Sequence, residues 1–409
     1  MQQQRHLQMA ALRSPHPDPD LDGLPPAAEL LGRVRPAPHL DFNPYRTPRG
    51  DVLKDVPEER VRRRLDLNEG PPAPVALLEA WLAELGRTAL HTYPDEHALD
   101  PRKAIAAHVG LDVAPGDAAD WVAVGAGSVQ LYQHVPLAFR HDANPGRNRA
   151  LVFSPCYGAY HSVIRGAGWT VVRHRSDRDG LDLDAMPRAA RDSGAGLVVL
   201  CSPNNPTGEP LPNALVADVC AAADGIVMCD EAYGEFSSAD SAVALLDRCP
   251  NLVVTGTTSK AFSLANLRAG WAVANPRLIE ALGRVQTPWH VSGPAQLATT
   301  LALGTFRHEV AANVQAVTSQ RARMAAGLQR VPGVERVLAS EGNFLAFRTK
   351  YPAGEVWGAL LVRYGIQIRD MATVMGDPNY LRVSVTASPA DTDVFLQAIG
   401  EVLCVSPSE

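Results

Sequence analysis

The sequence has few of the features that mark a membrane-bound, secreted or nucleic-acid-binding protein. No apolar run among its 409 residues approaches the roughly 20 residues of a membrane-spanning helix, and its first twenty residues lack the apolar stretch of a secretory signal. The six cysteines form neither a CxxC pair nor a zinc spacing with histidines, so we expect reduced, mostly buried thiols. The net charge of −6 gives no general affinity for nucleic acid. These absences favour a cytoplasmic protein without nucleic-acid or membrane partners.

Proline content and apolar runs divide the chain into three predicted parts. Residues 1–64 are rich in proline and arginine, and we expect a mobile arm there. In residues 65–300, short apolar runs alternate with helical patterns, which predicts an α/β fold whose mostly parallel sheet is covered on both faces. In residues 301–409, a long helical pattern, three short apolar runs and a closing helical pattern predict a small α+β domain. The six runs of the large domain are WVAVGAG (121–127), ALVFSP (150–155), GLVVLCSP (196–203), IVMCDEAY (226–233), LVVTGTTS (252–259) and AGWAVAN (269–275).

A lysine and an arginine follow one of these runs. Lys260 stands beside small hydroxyl residues at the end of a predicted strand, a place suited to carbonyl chemistry if its amine can lose a proton near neutral pH. Taken alone, the Ser-Lys pair is a weak signal and favours a surface lysine. Arg268 lies where the chain turns into the next strand, and an arginine there can bind a phosphate through two donors. The pair therefore favours a functional interpretation of Lys260.

Polar side chains also follow two other predicted strands. Asp230 ends a predicted buried strand, where an unpaired carboxylate is unfavourable. The position is favourable if the carboxylate faces a cation such as a protonated pyridine nitrogen. The alternative is that Asp230 is a helix cap or turn residue. Tyr233 lies three residues further on and can donate a hydrogen bond to a phenolate oxygen on the same pyridine ring. Asn205 lies in Asn-Asn-Pro-Thr-Gly (204–208), and its amide can also hydrogen-bond the phenolate oxygen. The same sequence strongly favours a turn, so a purely structural role is the alternative.

A glycine-rich loop precedes a predicted helix at residues 125–128. Glycines in Gly-Ala-Gly-Ser let the backbone approach a phosphate, and the helix N-terminus supplies free N–H donors. The loop is not GxGxxG and has no apparent acidic ribose anchor, so dinucleotide binding is set aside.

The order of these segments resembles that of the fold-type I pyridoxal-phosphate aminotransferases. GAGS is followed by PCYG, NNPTG, DEAY, SKAF and LRAG, and the similarity spans roughly residues 65–405. Within the group, the chain is similar to the histidinol-phosphate aminotransferases and the related aromatic aminotransferases. The resemblance implies an aspartate-aminotransferase-like fold, with a seven-stranded sheet in the large domain, and pyridoxal 5'-phosphate as cofactor.

The resemblance also assigns roles around that cofactor. It implies that Lys260 carries the cofactor and moves the substrate proton, that Asp230 pairs with the pyridine nitrogen, and that Asn205 and Tyr233 serve the phenolate oxygen. Tyr157 is expected to stack on the ring. The implied phosphate ligands are Ser128, the Val129 backbone, Ser259 and Arg268.

Further residues are implied at the dimer interface and at the substrate end. Tyr93 resembles a tyrosine that reaches the phosphate of the neighbouring subunit, which implies a homodimer. Arg382, in LRVSV, is expected to bind the substrate α-carboxylate, and Arg369 to lie near the substrate side chain. Asn68 belongs to a segment expected to lie over the site, and Asn343 is expected close to the substrate.

Departures from the family pattern bear on the substrate. Val129-Gln130 stand where histidinol-phosphate enzymes usually carry an acidic pair, Asn266 stands where glycine is common, and Trp289-His290 give one loop a large aromatic side chain. The predicted reaction is ping-pong transamination between an amino acid or amine and a 2-oxo acid. Histidinol phosphate is the leading donor and an aromatic amino acid is the second.

Two other interpretations stay open at this point. The same fold hosts decarboxylases, and relatives in specialised metabolism act as oxidases or cyclases. A ligand-sensing domain of a transcription regulator would need an added DNA-binding domain, for which the arm is too short and proline-rich. The presence of Lys260, Asp230 and Arg268 together also argues against a sensor.

Overall fold

The computed structural model describes residues 37–40, 60–111, 118–176 and 179–404. The chain divides into two units, Met1–Phe42 and Asn43–Glu409. Of the first unit, only residues 37–40, with the short 3₁₀ helix Pro38–Leu40, are described. The predicted arm therefore falls almost entirely outside the described residues.

Seven strands of the second unit form the sheet expected from the apolar runs. The described strands are β1 Arg63–Arg64, β2 Val122–Gly125, β3 Arg149–Ser154, β4 Thr170–Arg175, β5 Leu197–Cys201, β6 Ile226–Asp230, β7 Leu252–Thr257, β8 Gly270–Ala274, β9 Val334–Val337, β10 Phe344–Thr349, β11 Ile366–Gln367, β12 Arg369–Asp370 and β13 Tyr380–Ser384. The large sheet has the order β2-β8-β7-β6-β5-β3-β4. All its neighbouring pairs are parallel except those of β8, which is antiparallel to β2 and β7. The α/β class and the mostly parallel seven-stranded sheet are thus confirmed.

Six of these strands coincide with the six apolar runs, and β4 is the exception. Its sequence, TVVRHR, contains only half-buried and exposed residues because the strand lies at the edge of the sheet, beside β3 alone. An edge strand does not need the continuous apolar pattern of a strand buried on both faces.

Helices cover both faces of the large sheet. Alternate residues of its central strands belong to two hydrophobic clusters, as with Leu151 and Phe153 in one and Ala150 and Val152 in the other. This alternation follows from the period of two in a strand. The described α-helices are Val75–Leu85, Leu99–His108, Ser128–Ala138, Ala159–Gly166, Met186–Ser193, Asn213–Ala222, Pro276–Gly283, Gly293–Leu303, Arg307–Leu328, Ala353–Tyr364, Ala372–Met375 and Pro389–Cys404.

The C-terminal part forms a second, antiparallel sheet of four strands in the order β12-β13-β10-β9. One of the short apolar runs of this part, IQIRDM at residues 366–371, does not form a single strand: β11 pairs in parallel with β1, and β12 pairs with β13. The domain boundary placed at residue 300 falls inside helix Gly293–Leu303, and the predicted domain limits stay a prediction. None of the helices in the described ranges is long and apolar enough to cross a membrane.

Candidate active site

The carboxyl ends of strands β5, β6 and β7 open into a cavity of about 780 Å³. Such a position is where ligands bind in open α/β sheets. Side chains that follow these three strands line the cavity together with residues of the C-terminal sheet. The sequence-predicted residues in its wall are Asn68, Ser128, Val129, Tyr157, Asn205, Asp230, Tyr233, Ser259, Lys260, Arg268, Arg369 and Arg382.

Lys260 follows β7 and places its amine inside this cavity. Its Nζ donates to the carbonyl oxygen of Leu67 at 2.8 Å and lies 5.8 Å from the ring centre of Tyr233. Burial lowers the pKa of Lys260 to about 8, and the positive charge of Arg382 acts in the same direction. The unprotonated fraction of this amine near neutral pH is therefore larger than that of an ordinary lysine, and nucleophilic attack on a carbonyl requires the unprotonated form.

Asp230 is a buried carboxylate with donors already on both of its oxygens. Its Oδ1 accepts from the backbone N–H of Ala232 at 3.0 Å and from the Thr255 hydroxyl at 3.4 Å. Its Oδ2 accepts from the Tyr160 hydroxyl. Burial nevertheless raises the pKa of Asp230, and hydrogen bonds from Tyr132 and Tyr160 oppose that shift. A cation in the cavity would favour the ionised carboxylate.

Two amides meet on the hydroxyl of Tyr233. The Nδ2 atoms of Asn205 and Asn68 each donate to it at 3.1 Å, and Asn205 in turn accepts from Nη1 of Arg382 at 2.7 Å. Segments that are far apart in the sequence therefore form one connected hydrogen-bond network. This network fixes the rotamer of Tyr233 beside Lys260.

Another part of the cavity wall is suited to hold an anion. Helix Ser128–Ala138 begins there without a side-chain cap, and a helix N-terminus favours negative charge. Arg268 donates to the Ser259 hydroxyl at 3.3 Å. Gly127 has a φ of 78°, and a Cβ at this position would lie 2.5 Å from Nη2 of Arg268. Only glycine lets the guanidinium lie against this loop.

Two arginines face the cavity from the C-terminal sheet. Arg369 and Arg382 are direct cross-strand partners of β12 and β13, and both line the cavity. Nη2 of Arg382 also donates to the backbone oxygen of Asp66 at 2.6 Å. Like charges directly opposite each other are unfavourable in a sheet, so this arrangement suits a site that receives an anion.

Tyr93 and Asn343 lie outside the cavity wall. Tyr93 is 76% exposed and stacks on Trp289 with ring centres 4.4 Å apart. Asn343 is fully buried and donates to the backbone oxygens of Asn68 and Glu69 at 3.1 and 3.3 Å. In this chain Asn343 holds the segment that covers the site.

Sequence reasoning did not identify several polar residues that the structure places here. Tyr160 is three residues beyond Tyr157, a spacing that puts two side chains on one face of a helical turn, so its proximity could have been found. Tyr132 likewise lies four residues after Ser128 and donates to its hydroxyl at 2.9 Å. Asp66 and Gln367 gave no such local signal.

These groups fit the cofactor that the sequence resemblance implies. The cradle at Gly127 and Arg268 matches a phosphate, the buried Asp230 lacks a cationic partner among its hydrogen-bond donors, and the Lys260 amine is suited to a carbonyl. Each of the three chemical features of pyridoxal phosphate thus has a matching group in one cavity.

Comparison with known proteins agrees with this fit. The family model described as aminotransferase class I and II matches residues 64–399. A histidinol-phosphate aminotransferase of Nocardia farcinica is 38% identical over 368 residues, which cover 88% of this chain and 91% of that protein. One of Rhodococcus jostii is 36% identical over 360 residues, covering 87% and 91%. A crystal structure of histidinol-phosphate aminotransferase from Sinorhizobium meliloti in complex with pyridoxal-5'-phosphate has a TM-score of 0.77 at 24% identity, covering 90% of this chain and 98% of that one.

Proposed function

The chain belongs to the class I and II aminotransferases and is a pyridoxal-phosphate-dependent transaminase, and we propose that its amino donor is histidinol phosphate. The observation that carries this proposal is the direct pairing of Arg369 with Arg382 across β12 and β13. Two guanidinium groups on one wall of the cavity provide paired donors for a phosphate. The acceptor, a 2-oxo acid, brings a carboxylate to the same arginines in the second half-reaction.

We further propose the roles of the residues around the cofactor. Bound pyridoxal phosphate supplies an electron sink for the electron pair left at the substrate Cα when its proton is removed. Asp230 holds the ring nitrogen in its protonated form, and Asn205 and Tyr233 hydrogen-bond the phenolate oxygen. Lys260 Nζ takes the α-proton and later returns it, a role for which its lowered pKa is suited.

The remaining contacts position the cofactor. Ser128, the Val129 backbone, Ser259 and Arg268 bind the phosphate, and Tyr157 packs against the ring. We infer that the active unit is a homodimer in which the exposed Tyr93 reaches the phosphate site of the second copy.

Tyr160 has a positioning role in this scheme. Its hydroxyl donates to Oδ2 of Asp230, and this bond favours the ionised carboxylate against the effect of burial. An ionised Asp230 is the form that keeps the ring nitrogen protonated. Tyr160 therefore acts on the reaction through Asp230, without touching the reacting atoms.

A half-reaction tests the proposed donor. The holoenzyme is mixed with single amines and no 2-oxo acid, and the loss of the absorbance of the Lys260-bound cofactor is followed over time. We expect histidinol phosphate to convert the cofactor faster than phenylalanine, tyrosine or glutamate. A faster conversion by phenylalanine or tyrosine would contradict the proposal.

An aromatic amino acid is the second candidate donor. Tyr157, Trp357 and Met371 line the cavity, and this apolar wall can accommodate an aromatic side chain. The same half-reaction decides between the two, because the aromatic amino acids lack a phosphate.

A further inference from the structure

Two buried polar side chains at the substrate end have no role in the scheme above. Asp66 is 3% exposed and Gln367 is 4% exposed, and both line the cavity. The parallel pairing of β1 with β11 and the bond from the Leu65 N–H to the Gln367 carbonyl oxygen at 2.7 Å bring the two side chains together. They come from opposite ends of the described chain.

The orientation of the Gln367 amide follows from its neighbour. Its Nε2 donates to Oδ2 of Asp66 at 2.9 Å. A carboxylate only accepts hydrogen bonds, so the amide NH₂ must face Asp66 and the amide oxygen must face away. That oxygen, Oε1 of Gln367, is buried and has no hydrogen-bond partner among the described residues.

A buried acceptor without a donor is unfavourable, and the exceptions call for an explanation. Gln367 precedes Arg369 by two residues, so both side chains lie on one side of the extended segment. Arg382 links the same corner through its bond to the Asp66 backbone. A carboxylate and an amide oxygen thus stand beside two guanidinium groups. A ligand that fits this corner carries an anionic group together with a hydrogen-bond donor.

We propose that Asp66 and Gln367 form a specificity subsite that accepts a hydrogen bond from an N–H or O–H group on the side chain of the amino donor. This inference rests on the proposed function and deepens it, because histidinol phosphate combines an imidazole N–H with a phosphate. Phenylalanine has neither group. The subsite selects amines by a side-chain donor, while the arginines select them by charge.

The test compares two donors that differ in one hydrogen-bonding group. The kcat/KM of the holoenzyme is measured at a pH where the imidazole is neutral, for histidinol phosphate and for its analogue with a methyl group on the N–H nitrogen, which then has no N–H. Because the analogue leaves buried acceptors unpaired, we expect the wild-type enzyme to prefer histidinol phosphate by about tenfold or more. Gln367→Met keeps the length of the side chain and removes the amide, and we expect the preference to fall towards one.

Controls separate hydrogen bonding from bulk and from misfolding. A preference caused only by the size of the methyl group would persist in Gln367→Met, and that outcome would overturn the proposal. Gln296→Met is the matched control, because Gln296 is buried but lies outside the cavity and donates to the backbone oxygens of Asp95 and Val291. It should leave the preference unchanged. Asp66→Asn is the second variant of the subsite. For each variant, the unfolding temperature shows that the protein is folded, and the cofactor absorbance shows that it has bound pyridoxal phosphate.

Failure of the subsite and failure of the proposed function give different results. If histidinol phosphate is not a substrate, the proposed function fails, and the subsite is then tested with tyrosine against phenylalanine, which also differ in one donor. A tyrosine preference that falls in Gln367→Met and in Asp66→Asn supports the subsite. Equal use of both amino acids by the wild-type enzyme overturns it.

Discussion

The cofactor end and the substrate end of the cavity differ in how their polar atoms are satisfied. At the cofactor end, Asp230 accepts from Tyr160, Ala232 and Thr255, and Tyr233 accepts from two amides. At the substrate end, Oε1 of Gln367 is buried without a partner in the described ranges, and Arg369 and Arg382 face each other across two strands. The first end is organised before any ligand arrives, whereas at the second end the amide oxygen of Gln367 still has unused hydrogen-bonding capacity.

This difference matches two different demands on the enzyme. The cofactor is the same in every turnover, so rigid groups that wait in place lower the cost of reorganisation during the reaction. The substrate must be distinguished from similar amines, and a site rejects a wrong amine when that amine leaves the polar groups of the site unpaired. Changes at the first end should therefore affect all amines alike, and changes at the second should affect amines selectively.

The largest effect is expected from Lys260→Ala, at the cofactor end. The variant loses the amine that holds the cofactor and moves the α-proton, so turnover should stop with every amine. Loss of a proton-transfer group costs on the order of 10²–10⁴-fold in rate, and loss of the covalent link adds to this. Borohydride reduction followed by mass spectrometry should find no fixed cofactor. If another lysine were labelled instead, Lys260 would not be the anchor.

Arg369→Ala should give a smaller and selective effect at the substrate end. Removal of a charge-assisted hydrogen bond costs about 1.5–3 kcal/mol, or roughly ten- to a hundredfold in kcat/KM. We expect that loss for histidinol phosphate and little change for phenylalanine, whose side chain has no charge. Equal losses for the two amines would show that Arg369 does not discriminate by charge.

Tyr160→Phe and Tyr132→Phe form a matched pair at the cofactor end. Each removes one buried hydroxyl and keeps the ring, and both hydroxyls lower the pKa of Asp230, but Tyr132 also donates to Ser128 in the phosphate site. Tyr160→Phe weakens the ionised form of Asp230, so we expect about a tenfold lower kcat for all amines and a shift in the pH titration of the cofactor absorbance. Tyr132→Phe should shift the titration in the same direction and should also raise the Kd of the cofactor. An unchanged titration in Tyr160→Phe would mean that Tyr160 has only a packing role.

How much of this site could be read from the sequence depended on how local each signal was. Asp230 ends an apolar strand, and Lys260 and Asn205 each follow one within a few residues, so the sequence pattern indicates the strand and the functional residue together. Asp66 and Gln367 are 301 residues apart, and their contact depends on the parallel pairing of two very short strands. No periodicity predicts such a meeting. The division of IQIRDM into β11 and β12 was missed for the same reason, since its two halves pair with different segments.

The smallest expected effect is a dependence on pH, and it isolates the cofactor end from substrate binding. Burial lowers the pKa of Lys260 to about 8, and only the unprotonated amine attacks a carbonyl. Protonation at lower pH should therefore slow capture of pyridoxal phosphate by the enzyme stripped of cofactor. For one titrating amine of this pKa, the rate should fall about fivefold between pH 8 and pH 7 and level off above pH 9. Stopped-flow absorbance of cofactor binding measures this rate without any amine present. Arg369→Ala, at the substrate end, serves as the control and should show the same midpoint. A midpoint near 10.5, the ordinary value for lysine, would mean that the cavity does not depress the pKa of this amine.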